Sequence, residues 1–284
     1  MHEKIIFQRT WRLCFCKKFF HTAIFSRRLA STHFGYQSVD EKEKADKVYA
    51  VFANVAQKYD LMNDVMSLGI HRLWKDYFVN KIAPDSNTKM LDMAGGTGDI
   101  TFRALRKIQK GGGDGSVTVC DINQPMLDVG AKRAAVDPTV DKGRIKWVCA
   151  NAEDLPFQDN EFDLYTIAFG IRNCTHVDKV LDEAFRVLKP GGQFACLEFS
   201  AISPILRPFY DFYSFRIIPW LGKLIANDYN SYRYLVESIR QFPDQKNFAD
   251  AIQAAGFSNV NYQNLSFGIC AIHSAMKSTM SVSK

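Results

Sequence analysis

The sequence predicts an α/β fold built on a mostly parallel, doubly wound sheet, and three observations carry that prediction. Short apolar runs alternate with segments of helical period between Lys89 and Phe199. A glycine-rich turn, LDMAGGTGD (91–99), follows the first of these runs. Asp92 and Asp121 close the first two runs, at the strand ends where such sheets hold their ligands.

The folded part is expected to open with a helix. Ser38-Val39-Asp40-Glu41 has capping-box spacing, and Val48, Val51, Phe52, Val55 and Tyr59 recur at helical period. The segment YDLMNDVMSLGIHRLWKD (59–76) mixes apolar and polar residues and includes another helix before Pro84. The alternation then begins: strand Lys89–Met93, helix Asp99–Gln109, strand Val117–Ile122, helix Pro125–Ala135. It continues with strands Arg144–Cys149 and Phe162–Phe169, helix His176–Leu188 and strand Gln193–Phe199. A helix over Asn247–Ala254 and strands around Val260–Leu265 and Ile269–Ala275 end the chain. Without an internal repeat or low-complexity linker, residues 39–284 read as a single domain. An insertion at about 203–242 interrupts it. Within that insertion, PILRPFYDFYSFRIIPWLGKLI (204–225) carries Phe209, Tyr210, Phe212, Tyr213, Phe215 and Trp220. Helix packing accounts for at least half of these rings, and the others suit a lid or a greasy wall.

The net charge of +6 is unevenly placed. Residues 1–39 hold seven Lys/Arg and the single acid Glu3, leaving 29 residues of each sign in the body. A basic, acid-poor segment interleaved with Phe, Ile and Leu reads as a mitochondrial transit peptide over 1–38, cleaved between Arg28 and Val39. Lys17, Lys18 and Arg12 interrupt the apolar run a secretory signal needs, and a disordered basic arm is the plainer alternative. The neutral body offers no phosphate-binding groove, so no nucleic-acid partner is expected. Cys120, Cys149, Cys174, Cys196 and Cys270 remain beyond the leader, with no C-x-x-C pair; buried free thiols and no metal site are expected.

Gly95, Gly96 and Gly98 let the backbone approach a ligand, yet the third glycine of a dinucleotide fingerprint is replaced by Thr101. Asp92 lies where it could meet an amino-acid ammonium group and would repel a pyrophosphate. Asp121 stands where a carboxylate can hold both ribose hydroxyls, and ANAEDLPF (150–157) follows the third strand, at an adenine edge. Together these favour S-adenosylmethionine over NAD, although each carboxylate alone could be a cap or turn residue.

Five blocks carry a resemblance: YDLMNDVMSLGIHRLWKD, LDMAGGTGDIT, FGIRN, RVLKPGGQFACLEFS and NDYNSYRYLVESI. The chain resembles the ubiquinone/menaquinone biosynthesis C-methyltransferase family over roughly residues 45–276. The resemblance implies a class I S-adenosylmethionine-dependent methyltransferase fold with an antiparallel last strand. It implies cofactor contacts from Thr97, Asp121, Asn151 and Ala152, alongside Asp92, Gly95 and Gly98. Bacterial relatives often carry Ser at the position of Ala168. It also implies a polyprenyl benzoquinol substrate, other quinone-synthesis enzymes as partners in a multi-subunit complex, and peripheral contact with the mitochondrial inner membrane on the matrix side.

C-methylation of a quinol needs a ring hydroxyl ionised or nearly so, hence a phenol pKa lowered from about 10. Arg172 and Asn173 follow the fourth strand of the alternation and are the expected catalytic pair, the cation stabilising a phenolate and Asn173 donating a second hydrogen bond. The competing role for Arg172 is a structural ion pair with Asp60 or Asp228. A guanidinium is a poor base, which leaves water, His176, Tyr59 or Asp60 as the proton acceptor. FGIRN stands where nucleic-acid methyltransferases carry an Asp/Asn-Pro-Pro-aromatic tetrad. A non-catalytic scaffold that keeps the pocket is the remaining alternative.

Overall fold

A computed structural model describes residues 31–55, 63–64, 66–226 and 228–279; the leader through residue 30, Tyr59 and Asp60 lie outside that description. Seven strands form the main sheet: β3 (Lys89–Met93), β4 (Ser116–Asp121), β5 (Ile145–Cys149), β6 (Phe162–Ala168), β7 (Leu188–Phe199), β8 (Ser258–Leu265) and β9 (Cys270–Met276). Their order is β5-β4-β3-β6-β7-β9-β8. Strand β3 pairs in parallel with β4 on one side and β6 on the other, and β9 runs antiparallel to β7 and β8. The chain thus winds outward in both directions from β3, and a crevice opens beyond its carboxyl end.

Both sheet faces are covered, which is why the central strands read as unbroken apolar runs. One face packs α2 (Ile70–Ile82), α3 (Asp99–Ile108) and α4 (Gln124–Val136) through Phe78, Leu105 and Leu127. The other packs α5 (Val177–Val187) and α9 (Gln245–Ala254) through Leu181 and Phe248. The predicted strands and helices of this core appear within a few residues of their expected bounds. The largest difference is β7, which already pairs with Phe162 from Leu188 onward.

Helix α1 (Glu41–Val55) is capped by Asp40, whose Oδ1 accepts the Glu43 N–H at 2.7 Å, so Ser38 is not its cap. Ser38 instead belongs to a hairpin of β1 (Ser31–Phe34) and β2 (Gln37–Asp40). That hairpin lies mostly in residues assigned above to the leader, and it packs on α8 (Tyr229–Gln241). Phe34 stacks on Tyr234 with centroids 4.1 Å apart, and the Tyr36 N–H donates to Glu237 Oε2.

The insertion is helical: α6 (Arg207–Phe212), a π-turn at Tyr213–Ile217, α7 (Ile218–Ala226) and α8. Its aromatics divide by face. Tyr210 and Tyr213 turn inward to a cavity, while Phe209, Phe212 and Trp220 are exposed beside Ile205 and Leu224. Among the described residues no helix is long and apolar enough to cross a membrane, and no cluster of residues could hold a metal ion. The five cysteines among the described residues are free thiols; Cys149, expected to be buried, is exposed, and Cys174 is half-buried.

Candidate active site

Two cavities open at the carboxyl edge of the parallel strands. The first, about 390 Å³, is bounded by the turn after β3, by Asp121 and by α1, whose Val48, Tyr49 and Phe52 roof it. Gly96 sets the turn with φ of 52° and donates its N–H to Asp121 Oδ2 at 3.0 Å. A Cβ there would lie 3.0 Å from Met126 Cε in a conformation L-residues rarely adopt. The other oxygen of Asp121 accepts the Asn123 N–H at 2.8 Å. Each carboxylate oxygen keeps a lone pair, so adjacent hydroxyls on one ligand could both be accepted. Burial pushes the Asp121 carboxyl up to about 6.

The other expected cofactor residues divide into wall and framework. Gly95, Thr97, Asn151 and Ala152 line this cleft, as does Ala168. The Thr97 hydroxyl accepts from Arg133 Nη1 at 2.9 Å, and Asn151 Oδ1 accepts the Glu153 N–H, shaping the loop after β5. Asp92 also forms part of the wall, but its oxygens accept from Thr101 at 2.6 Å and from Thr166 at 2.8 Å. Desolvation outweighs those two hydrogen bonds and raises its carboxyl to about 6. Its first task is to bind β3 to α3 and β6, rather than to reach an ammonium group unencumbered. Gly98 is not among the cleft's lining residues. It starts α3 with φ of 82°, and a Cβ there would meet the Phe102 ring at 2.9 Å.

The second cavity, about 270 Å³, is apolar, with Trp74, Phe169, Phe199, Tyr213 and Ile218 in its wall. Phe52, Lys75 and Phe169 border both cavities, so the two spaces meet there. Lys75 is buried and donates to Asp99 Oδ2 at 2.6 Å, and that cation, with Arg103, holds the Asp99 carboxyl down at about 2 despite its burial.

Arg172 lines the apolar cavity, and among the described residues its ionic partner is Glu198 and not Asp228, while Asp60 lies outside them. Nη1 donates to Glu198 Oε1 at 2.9 Å and to the Phe169 carbonyl, and the guanidinium lies over the Phe199 ring. Asp228 caps α8 instead, accepting the Ser231 N–H. The pair is buried, and desolvation raises the Glu198 carboxyl even against the neighbouring cation. Arg172 Nε remains buried without a hydrogen-bond partner among the described residues. Asn173 faces the polar cleft, and its Oδ1 accepts from Tyr234 OH at 3.0 Å across to the apolar cavity. A side chain whose carbonyl is so held has its amide nitrogen left as the donor end.

His176 lies at the polar cleft between two acids, Nδ1 at 2.7 Å from Glu153 and Nε2 at 3.1 Å from Glu41. Those hydrogen bonds, Glu153 first, raise its pKa, and both ring nitrogens are engaged by carboxylates rather than open to a substrate hydroxyl. Sequence reasoning missed Glu198, Lys75, Asp99, His71 and Tyr234. Their signal was present only as charged or aromatic residues inside the resembling blocks, because the partners of Glu198, Lys75 and Tyr234 lie 24 or more positions along the chain, and the His71–Asp64 spacing of seven marks no motif.

Comparison with known proteins places the chain in a family. A model of the ubiE/COQ5 methyltransferase family matches residues 39–277. The mitochondrial 2-methoxy-6-polyprenyl-1,4-benzoquinol methylase of Caenorhabditis elegans is 61% identical over 246 residues, covering 87% of this chain and 85% of its own. The protein of that name from Homo sapiens is 50% identical over 282 residues, covering 88% and 86%. A SAM-dependent methyltransferase from Thermotoga maritima, of known crystal structure, covers 81% of this chain and 99% of its own at a TM-score of 0.57. At 16% identity it speaks to the fold alone.

Proposed function

Because the chain belongs to the ubiE/COQ5 methyltransferase family, we propose that it methylates its substrate at the seam between the two cavities. It is an S-adenosylmethionine-dependent C-methyltransferase of ubiquinone biosynthesis, acting on a polyprenyl benzoquinol. The observation that carries the placement is the pairing of spaces: a polar cleft with a two-oxygen acceptor, opening beside an apolar cavity that holds a buried cation.

The polar cleft suits the cofactor. Asp121 would hold the ribose hydroxyls, Gly95, Thr97 and Asp92 would line the methionyl end, and Asn151 and Ala152 the adenine edge. When bound, the cofactor supplies an electrophilic methyl group. The chain's own residues do the remainder. Trp74, Phe169 and Phe199 give the quinol ring an apolar wall that excludes water. Arg172 Nε–H, unpartnered and fixed by the Glu198 pair, offers a hydrogen bond to a quinol oxygen as its charge develops. Asn173, oriented by Tyr234, adds a second donor from the cofactor side.

Residues 1–30 act in this proposal as the mitochondrial leader, with the folded enzyme starting at the β1–β2 hairpin. The exposed face of Phe209, Phe212, Trp220 and Leu224, flanked by Arg207, Arg216 and Lys223, supports peripheral contact with the matrix side of the inner membrane. That surface lies on the outside of the helices whose inner side lines the quinol cavity, a short path for a substrate whose tail resides in lipid. Membership of an assembly of quinone-synthesis enzymes belongs to the same proposal and rests on the family resemblance.

Purified protein given S-adenosylmethionine carrying a labelled methyl and a reduced short-prenyl 2-methoxybenzoquinol should yield a product labelled on a ring carbon. Label on oxygen, or cofactor binding with no transfer, would refute the proposed reaction.

A further inference from the structure

His71 lies in the first turn of α2 and forms part of the apolar cavity's wall. Its side chain is buried, and its two ring nitrogens have unequal surroundings. Nε2 is 2.8 Å from Asp64 Oδ1, whereas Nδ1 is buried with no hydrogen-bond partner among the described residues. Asp64 is in turn gripped by Arg72, whose Nε and Nη2 each donate to it at 2.6 Å. Those two hydrogen bonds and that of His71 hold its carboxyl well below the usual range, so it stays ionised and accepts from Nε2–H. The neutral ring therefore carries its proton on Nε2 and a lone pair on Nδ1. Burial, reinforced by Lys75, keeps the imidazole neutral against the opposing pull of Asp64 and Asp99.

Several other polar groups of the two cavities are committed elsewhere, among the described residues. Arg172 and Lys75 are cations held by Glu198 and Asp99, and Tyr234 donates to Asn173. His176 sits between two carboxylates at the other cavity. We propose that His71 Nδ1 takes the proton from the quinol hydroxyl, with Asp64 as the residue that positions the ring. This rests on the apolar cavity being the quinol site. The hydroxyl proton passes to Nδ1 while the ring carbon gains the methyl and the sulfonium–methyl bond breaks. The dienone so formed loses its sp³ C–H proton to solvent and recovers the hydroxyl proton from Nδ1. One proton is released per methyl transferred, and His71 returns neutral.

The test is the pH–rate profile of the full chain with S-adenosylmethionine and a short-prenyl 2-methoxybenzoquinol. Wild type should lose activity on an acid limb lying below the ordinary histidine pKa of about 6.5. His71→Asn should lower kcat by a factor on the order of 10²–10⁴ and abolish that limb, with cofactor affinity unchanged. Asp64→Asn should give a smaller loss and a displaced limb, and it decides the matter if the His71→Asn chain does not fold. A nitro-substituted quinol, whose absorbance reports ionisation, reads the same step without turnover. Wild type should bind it as the anion below its free pKa, and His71→Asn should not. A folded His71→Asn chain that keeps the acid limb and ionises the probe overturns the assignment, as does an unmoved limb in Asp64→Asn. Wild type that ionises the probe yet methylates no ring carbon sinks the proposed reaction while supporting His71.

Discussion

Glu198 on β7 accepts a 2.9 Å hydrogen bond from Arg172 Nη1, with their side chains 1% and 4% exposed. The guanidinium is paired within the protein, so in the proposed reaction Arg172 would serve the quinol as an oriented donor more than as a free cation.

Arg172→Ala should therefore unfold the site as well as slow it. Removing one partner strands the other in the core, which typically costs ~3–5 kcal/mol. Replacing both, Arg172→Met with Glu198→Met, should restore most of the melting temperature yet leave turnover low. Activity recovering together with stability in the double variant would reduce Arg172 to scaffolding.

Cofactor affinity should fall as pH drops through about 6, where the Asp121 carboxyl takes up its proton and loses an acceptor. Below that point each pH unit should weaken binding by up to about tenfold. The sign for the unliganded fold is opposite. A carboxyl raised from 3.8 to about 6 contributes stability that is complete below 3.8 and lost as pH rises through about 6. Calorimetric titration of wild type and Asp121→Asn across this window checks both. The variant should bind more weakly at neutral pH, and its affinity should be flat.

The outward aromatics should govern lipid contact and not chemistry. Phe212→Ser with Trp220→Ser should reduce co-sedimentation with vesicles containing anionic lipid. Turnover of a short-prenyl quinol in detergent-free solution should be unchanged. Vesicle binding equal to that of wild type would remove this face from the membrane.

A chain starting at Ser31 should melt higher than one starting at Asp40. The shorter chain loses the stack of Phe34 on Tyr234 and the Tyr36 hydrogen bond to Glu237, together about 1–3 kcal/mol. Because Tyr234 also orients Asn173, the shorter chain should turn over more slowly as well. Identical melting curves would mean the hairpin is not part of the enzyme's fold.

By itself the sequence determined the sheet, its wrapping helices and the cleft. Their information is local: period-two and period-3.6 patterning, a turn needing positive φ at Gly96, and Asp121 closing an apolar run. Capping was legible in kind but misplaced, since Ser38 and Asp40 both fit a cap and only the hairpin's pairing decides between them. What the tertiary structure alone decided is which charges meet. Arg172 is 26 positions from Glu198, Lys75 is 24 from Asp99, and Tyr234 is 61 from Asn173. No sequence period links such pairs. They exist because parallel crossovers bring distant strand ends to one edge, where burial makes an unpaired charge too costly to leave. The same burial makes Asp92 a brace between Thr101 and Thr166 as well as part of the cleft wall, and leaves His71 Nδ1 buried without a hydrogen-bond partner among the described residues.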